Sequence, residues 1–119
     1  MNDVPIAQIV IAGSLIVLYL IMRFRKNQRR GALQAKITAG AKVIDVRSSA
    51  EFSSGHFAGA INIPVDKLPK HLKALGPRDS SIIVYCASGM RSANAQRILV
   101  DAGFTHVVNA GSLSAMPAL

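Results

Sequence analysis

Residues 4–22, VPIAQIVIAGSLIVLYLIM, run for nineteen positions without a charge, and this run decides how the rest of the chain can fold. As a helix it spans about 28 Å, close to the roughly 30 Å of a bilayer's hydrocarbon core. Apolar side chains fall on every side of such a helix, as a lipid-facing span requires, and Gln8 is its one strongly polar member. Enclosing it as a core helix would need a larger domain than the roughly ninety residues that remain. A secretory signal peptide carries its basic region ahead of a shorter apolar core. Here the N-terminal flank is Met1-Asn2-Asp3, the positive charge follows the run, and no convincing small-x-small cleavage site precedes Arg23. The expected organisation is therefore a single transmembrane helix over residues 1–24, a basic juxtamembrane linker over 25–31 and one domain over 32–119. No GxxxG pairing motif occurs in the span, so dimerisation through it is not indicated.

The charge distribution supports this division. Lys and Arg number 14 against 6 Asp and Glu, yet Arg23, Arg25, Lys26, Arg29 and Arg30 stand within eight residues directly after the apolar run. By the positive-inside rule this cluster keeps the domain on the cytoplasmic face of the cell (inner) membrane, with the N-terminus outside. It can also meet anionic headgroups. The remainder carries nine basic and five acidic side chains, with no Trp and no aromatic platform beside the basic residues. That is a poor footprint for nucleic acid, which is not expected as a partner. Cys86 is the only cysteine, so neither an internal disulfide nor a resolving thiol exists within the chain.

Beyond Gly31 short helices and strands alternate. ALQAKITAGA reads as a helix closing near Gly40, and KVIDV (42–46) as a strand. SSAEFSSG (48–55) reads as a short helix capped by Ser48 or Ser49, with Glu51 in its first turn. AINIP (60–64) is a second strand and VDKLPKHLKALG (65–76) a helix that takes Pro69 into its first turns. SIIVYC (81–86) is a β-branched run of the kind covered on both faces. SANAQRILVDAG (92–103) is a helix closed by Gly103, and THVVNA (105–110) the last strand. The fold class expected is α/β: a small parallel sheet with helices on both faces, preceded by one transmembrane helix.

In open α/β sheets ligands bind beyond the carboxyl ends of the strands, and Cys86 ends the most apolar one. The segment from Cys86 through Ala87, Ser88, Gly89, Met90 and Arg91 is six residues long, with Ser92 expected to open the next helix. Gly89 permits a left-handed turn, which lets successive N–H groups point inward as an anion nest. The helix dipole and Arg91 add positive charge. A thiol so placed should be a thiolate at neutral pH, and the same cradle would hold an oxyanion or a second, negative sulfur. A lone cysteine at a strand end is otherwise usually an inert small hydrophobe; the Gly and Arg at these spacings argue against that.

Three blocks in order then resemble the single-domain rhodaneses, a sulfurtransferase family. They are Asp45-Val46-Arg47 with Glu51-Phe52; Gly55-His56 with Gly59-Ala60-Ile61-Asn62-Ile63-Pro64; and Cys86-x-x-Gly89-x-Arg91-Ser92. The likeness covers roughly residues 32–115. It implies that Cys86 takes a sulfane sulfur from a donor such as thiosulfate, holds it as a persulfide and passes it to cyanide or a thiol, with a protein sulfur acceptor fitting the same chemistry. It implies no metal and no organic cofactor. By the same resemblance, backbone N–H groups from Ala87 to Arg91 hold the persulfide anion and Arg91 orients the donor. Asp45 and Arg47 support the loop or form a structural ion pair. His56 is read as a structural hydrogen bonder. One departure is Met116, where the family commonly has Trp, which suggests a looser closing segment. Three other functions compete. Dual-specificity phosphatases resemble rhodaneses but have one more residue between Cys and Arg, as tetrahedral phosphate requires, and an arsenate-reductase-like activity falls with them. A binding module with an idle cysteine, or a persulfide relay between proteins, uses the same fold.

Overall fold

In the computed structural model, which describes residues 3–118, the apolar run belongs to a single helix, α1 (Ile6–Thr38), of 33 residues. Met1, Asn2 and Leu119, the outer limits expected for span and domain, lie outside the described residues. Pro5, at φ −58°, stands at the N-cap, where no helical N–H is needed. The basic stretch 25–31 and the short helix expected from residue 32 are both parts of α1, so no break in secondary structure separates them. Residues 23–36 are dominated by Arg, Lys, Gln, Ala and Leu, all good helix formers, and the single Gly31, costing about 1 kcal/mol, does not interrupt them. Every large apolar side chain from Val4 to Phe24 is 46–80% exposed, which no core helix would be. By length and composition α1 is sufficient to cross a membrane, with a mean hydropathy of 2.1 over its most apolar window.

Four strands follow: β1 (Lys42–Asp45), β2 (Ile61–Asn62), β3 (Ser81–Cys86) and β4 (His106–Ser112). They form one sheet in the order β2-β1-β3-β4, and every pairing is parallel. The parallel α/β architecture is as expected. β3 lies between two partners, and its alternating side chains feed two cores. Ile82, Val84 and Cys86 join Leu99, Leu68, Leu75 and Phe104 on one face. Ile83 and Tyr85 join Leu33 of α1, Phe57, Ala110 and Met116 on the other. Burial on both faces is why β3 reads as a continuous apolar run.

Two expected helices differ from the reading. Residues 65–76 form two 3₁₀ turns, Leu68–Lys70 and Leu72–Leu75, in place of an α-helix. Pro69 cannot donate an i→i−4 bond and its ring would crowd the carbonyl of Val65, so the chain takes tighter turns that still bury Leu68 and Leu75. The helix expected to open at Ser92 is α3 (Met90–Asp101), two residues longer at its start, with Gly89 at the N-cap. Its other end closes as expected. The Gly103 N–H bonds Val100 O and the Phe104 N–H bonds Leu99 O, a left-handed closure with Gly103 at φ 98°. A short helix, α2 (Ser49–Ser53), is capped by Ser48. The Ser48 hydroxyl accepts from the Glu51 N–H and the Glu51 carboxylate accepts from the Ser48 N–H.

Candidate active site

Cys86 is the last residue of β3, fully buried, and Ala87 and Ser88 lie exposed above it before α3 begins. Gly89 turns the chain with φ 98°, a conformation strained for any side chain, and a Cβ there would lie 3.5 Å from the Gly111 Cα. The turn aims the Gly89 N–H at Cys86 Sγ, 2.9 Å away. Ser92, in the first turn of α3, sets its hydroxyl 3.4 Å from the sulfur and 3.0 Å from the Gly89 carbonyl. That hydroxyl can accept from a thiol while donating to the carbonyl, or turn and donate to a thiolate.

These contacts decide the charge on the sulfur. Burial is the largest influence and pushes the Cys86 thiol up. Hydrogen bonding from the Ser92 hydroxyl and from the N–H groups of Ser92, Gly89 and Ser88 outweighs it and leaves the thiol below its ordinary value. The pocket thus favours negative charge at sulfur without a cation in contact with it.

Arg91, expected beside the sulfur, lies in the first turn of α3 and is held by Glu51. Its Nη1 donates to Oε1 at 2.7 Å and its Nη2 to Oε2 at 2.9 Å. Both side chains are more than a third exposed. The hydrogen bond from Arg91 is the main reason that the Glu51 carboxyl is lowered to about 2. Glu51 therefore caps α2, as its first-turn position suggests, and also ties α2 to the cysteine loop, which nothing in its local sequence announces. A shallow groove beside the loop is lined by Val46, Ser48, Pro64, Lys67 and Arg91 among others.

Asp45 and Arg47 form a buried ion pair, one of the two roles expected for them. The Arg47 Nη2 donates to Asp45 Oδ2 at 2.6 Å and to the Gly55 carbonyl at 2.7 Å. The Arg47 N–H also bonds the Asp45 carboxylate, and Asn62 Nδ2 donates to both backbone carbonyls of the pair, each at 3.0 Å. These bonds fasten β1 to the Gly55 turn and to β2; none of them goes to the cysteine loop. Tyr85 backs the pair: its hydroxyl accepts from the Phe57 N–H at 3.0 Å. Its pKa is pushed up to about 12, chiefly by burial. His56 stacks on Phe52 with ring centroids 3.7 Å apart, and its Nδ1 donates to the Phe52 carbonyl.

The far side of the loop rests on the segment that ends in Met116, which brings Gly111 there, and on Asn109, which sequence reasoning missed. Between β3 and β4 the register shifts by one residue at Val84/Tyr85, so that Asn109 and Gly111 both face β3. Asn109 Oδ1 accepts from the Gly111 N–H at 2.9 Å, and Gly111 takes φ 88° against Gly89. The bulge is what brings the β4 backbone under the loop. Met116, where a looser segment was expected, is buried against Tyr85 and Leu33 in the second core.

Comparisons with known proteins bear on the family and the fold. The family described as rhodanese-like domain matches residues 29–115. The thiosulfate sulfurtransferase PspE of Escherichia coli (strain K12) is 40% identical over 77 residues, covering 62% of this chain and 74% of PspE. The chloroplastic thiosulfate sulfurtransferase 16 of Arabidopsis thaliana is 40% identical over 82 residues, covering 60% and 68%. Among solved structures, a rhodanese with anions from E. coli superposes with a TM-score of 0.62 at 37% identity, covering 66% of this chain and 95% of that one. A human single-domain sulfurtransferase superposes with a TM-score of 0.66 at 27% identity, covering 71% and 88%.

Proposed function

The chain belongs to the rhodanese-like domain family, and from that premise we propose that it is a sulfurtransferase working through a persulfide on Cys86. The observation that carries the reading is the short hydrogen bond from the Gly89 N–H to a buried sulfur whose pKa is lowered by its own loop. The names of its relatives, thiosulfate sulfurtransferases in two organisms, support thiosulfate as a donor.

In the first step the Cys86 thiolate attacks the outer sulfur of thiosulfate. A Cys86 S–S bond forms, the sulfur–sulfur bond of the donor breaks, and its electron pair departs with sulfite. The persulfide keeps one negative charge, which the N–H groups of the loop and the Ser92 hydroxyl stabilise. In the second step cyanide or a thiolate attacks the terminal sulfur and the thiolate of Cys86 is regenerated. Arg91 takes part by holding the loop through Glu51 and by lending positive charge to the approach of the donor. Asp45 and Arg47 act on the frame that carries Glu51. The six-residue spacing from Cys86 to Arg91 fits sulfur better than tetrahedral phosphate.

Residues 1–24 act in this proposal as a single-pass membrane anchor, with residues 32–119 as a cytoplasmic domain. Support comes from the uncharged run, its exposure, the basic cluster behind it and the unbroken helix that joins it to the domain. The test is steady-state conversion of cyanide to thiocyanate by the full chain with thiosulfate as donor. Transfer that disappears in Cys86→Ser supports the assignment, and transfer that persists there removes it.

A further inference from the structure

α1 does more than attach the domain, because its direction fixes which end of the sheet is near the apolar run. The helix ends at Thr38, the chain turns through Gly40 and enters β1 at Lys42. β1 therefore runs back the way α1 came, and the parallel sheet runs with it. Two observations fix the level. Arg30 Nη2 donates to the Ser114 carbonyl at 2.8 Å, just past the carboxyl end of β4, where Ser112 pairs with Cys86. Ala115 shares a groove with Met22, Arg25, Lys26 and Arg29. Arg30, the end of β4 and Cys86 thus lie at one end of the domain. The strand starts at Lys42, Ser81 and His106 lie at the other, with Thr38.

From Arg30 back to Met22, where the apolar run finishes, the helix rises only about 12 Å. Leu33 is buried in the second core with Ile37 packed against it, so the domain is fixed to the helix rather than hung from it. At the same end Met90 holds an apolar side chain 80% exposed beside the cysteine loop. Resting on the reading of residues 4–22 as a membrane anchor, we infer that the carboxyl end of the sheet, with the Cys86 loop and Met90, faces the lipid bilayer across the basic stretch Arg23–Arg30. Reactants then reach Cys86 along the membrane surface, and sulfur is handed to acceptors held there. The opposite end of the domain faces bulk water.

The test uses the full chain in vesicles of zwitterionic and anionic phospholipid. Single labels are placed at Met90→Cys and at Asp79→Cys, each in a Cys86→Ser background. Both positions are exposed, and they lie at opposite ends of β3, which is about 20 Å long. Energy transfer to an acceptor on the lipid headgroups is expected to be severalfold greater from position 90. Equal transfer from both, or more from position 79, overturns the inference while leaving the anchor intact. Failure of the protein to float with the vesicles removes the anchor reading, and the inference with it. Labels at Ala87→Cys and Thr105→Cys repeat the comparison at the same two ends if a first variant does not fold.

Discussion

Glu51 grips Arg91 with both carboxylate oxygens, at 2.7 and 2.9 Å, across 40 residues of sequence. The guanidinium that the loop motif offers to an anionic donor is already engaged. Its positive charge acts beside a carboxylate, and much of its value is in fixing the first turn of α3.

Arg91→Ala should therefore lower kcat/KM for thiosulfate without abolishing transfer, because the Gly89 N–H and Ser92 hydroxyl remain on the sulfur. Loss of one charge-assisted contact corresponds to a drop of roughly ten- to a hundredfold. Glu51→Gln, which leaves the cation in place, should cost less. Steady-state kinetics of the two variants check the order; an equal loss in Glu51→Gln would mean that the pair, not the cation, is what matters.

The Glu51 carboxyl, lowered from 4.5 to about 2, gives a pH prediction. The folded value lies below the unfolded one, so the unfolded chain takes up its proton first as the pH falls. The contribution of the pair is complete above pH 4.5 and is lost as the pH falls towards 2. A carboxyl carbon NMR titration of Glu51 should show its midpoint well under 4.5; a midpoint at the ordinary value would mean that the pair does not persist in solution.

Ser92 should set the reactivity of the thiol. Its hydroxyl is the first of the contacts that lower the Cys86 pKa against the rise from burial. Ser92→Ala should move the pH midpoint of Cys86 alkylation upward and slow alkylation at neutral pH. In the unaltered protein the midpoint should lie below the ordinary 9.0. The native state then gains stability from Cys86 as the pH rises from the folded value to the unfolded one, because the unfolded chain keeps its proton longer. An unchanged midpoint in Ser92→Ala would remove its role.

Asp45→Asn should damage the fold rather than the chemistry. It leaves Arg47 as a buried cation with its carboxylate partner gone, at a cost of about 3 kcal/mol. The denaturant midpoint should fall, while the fraction that stays folded keeps the pH profile of Cys86 alkylation. A shifted profile with an unchanged midpoint would place Asp45 in the site itself.

How much of this was legible in the sequence depends on how local each interaction is. β3 could be read from Ser81 to Cys86 because burial on both faces leaves an uninterrupted apolar run. The cysteine loop could be read because Gly89 has to turn left-handed within three residues of Cys86. Residues 65–76 read as a helix on the expectation that its first turns tolerate Pro69, but Pro69 is the fifth residue of the stretch, where the bond it cannot make is needed. The helix expected to open at Ser92, after a loop counted from Cys86 to Arg91, starts two residues earlier because Gly89 takes the cap position. Glu51 is legible as a first-turn acid of α2 and as part of the first resembling block, but not as the partner of Arg91, which stands 40 residues away. The bulge that brings Asn109 and Gly111 under the loop depends on the pairing of β3 with β4, which no single segment encodes.

The central claim is that Cys86 carries sulfur, and the mass of the intact chain after incubation with thiosulfate tests it most directly. The account predicts a gain of one sulfur atom, its loss on addition of cyanide with release of thiocyanate, and no gain in Cys86→Ser. An unaltered mass in the native chain, or the same gain in Cys86→Ser, would contradict it.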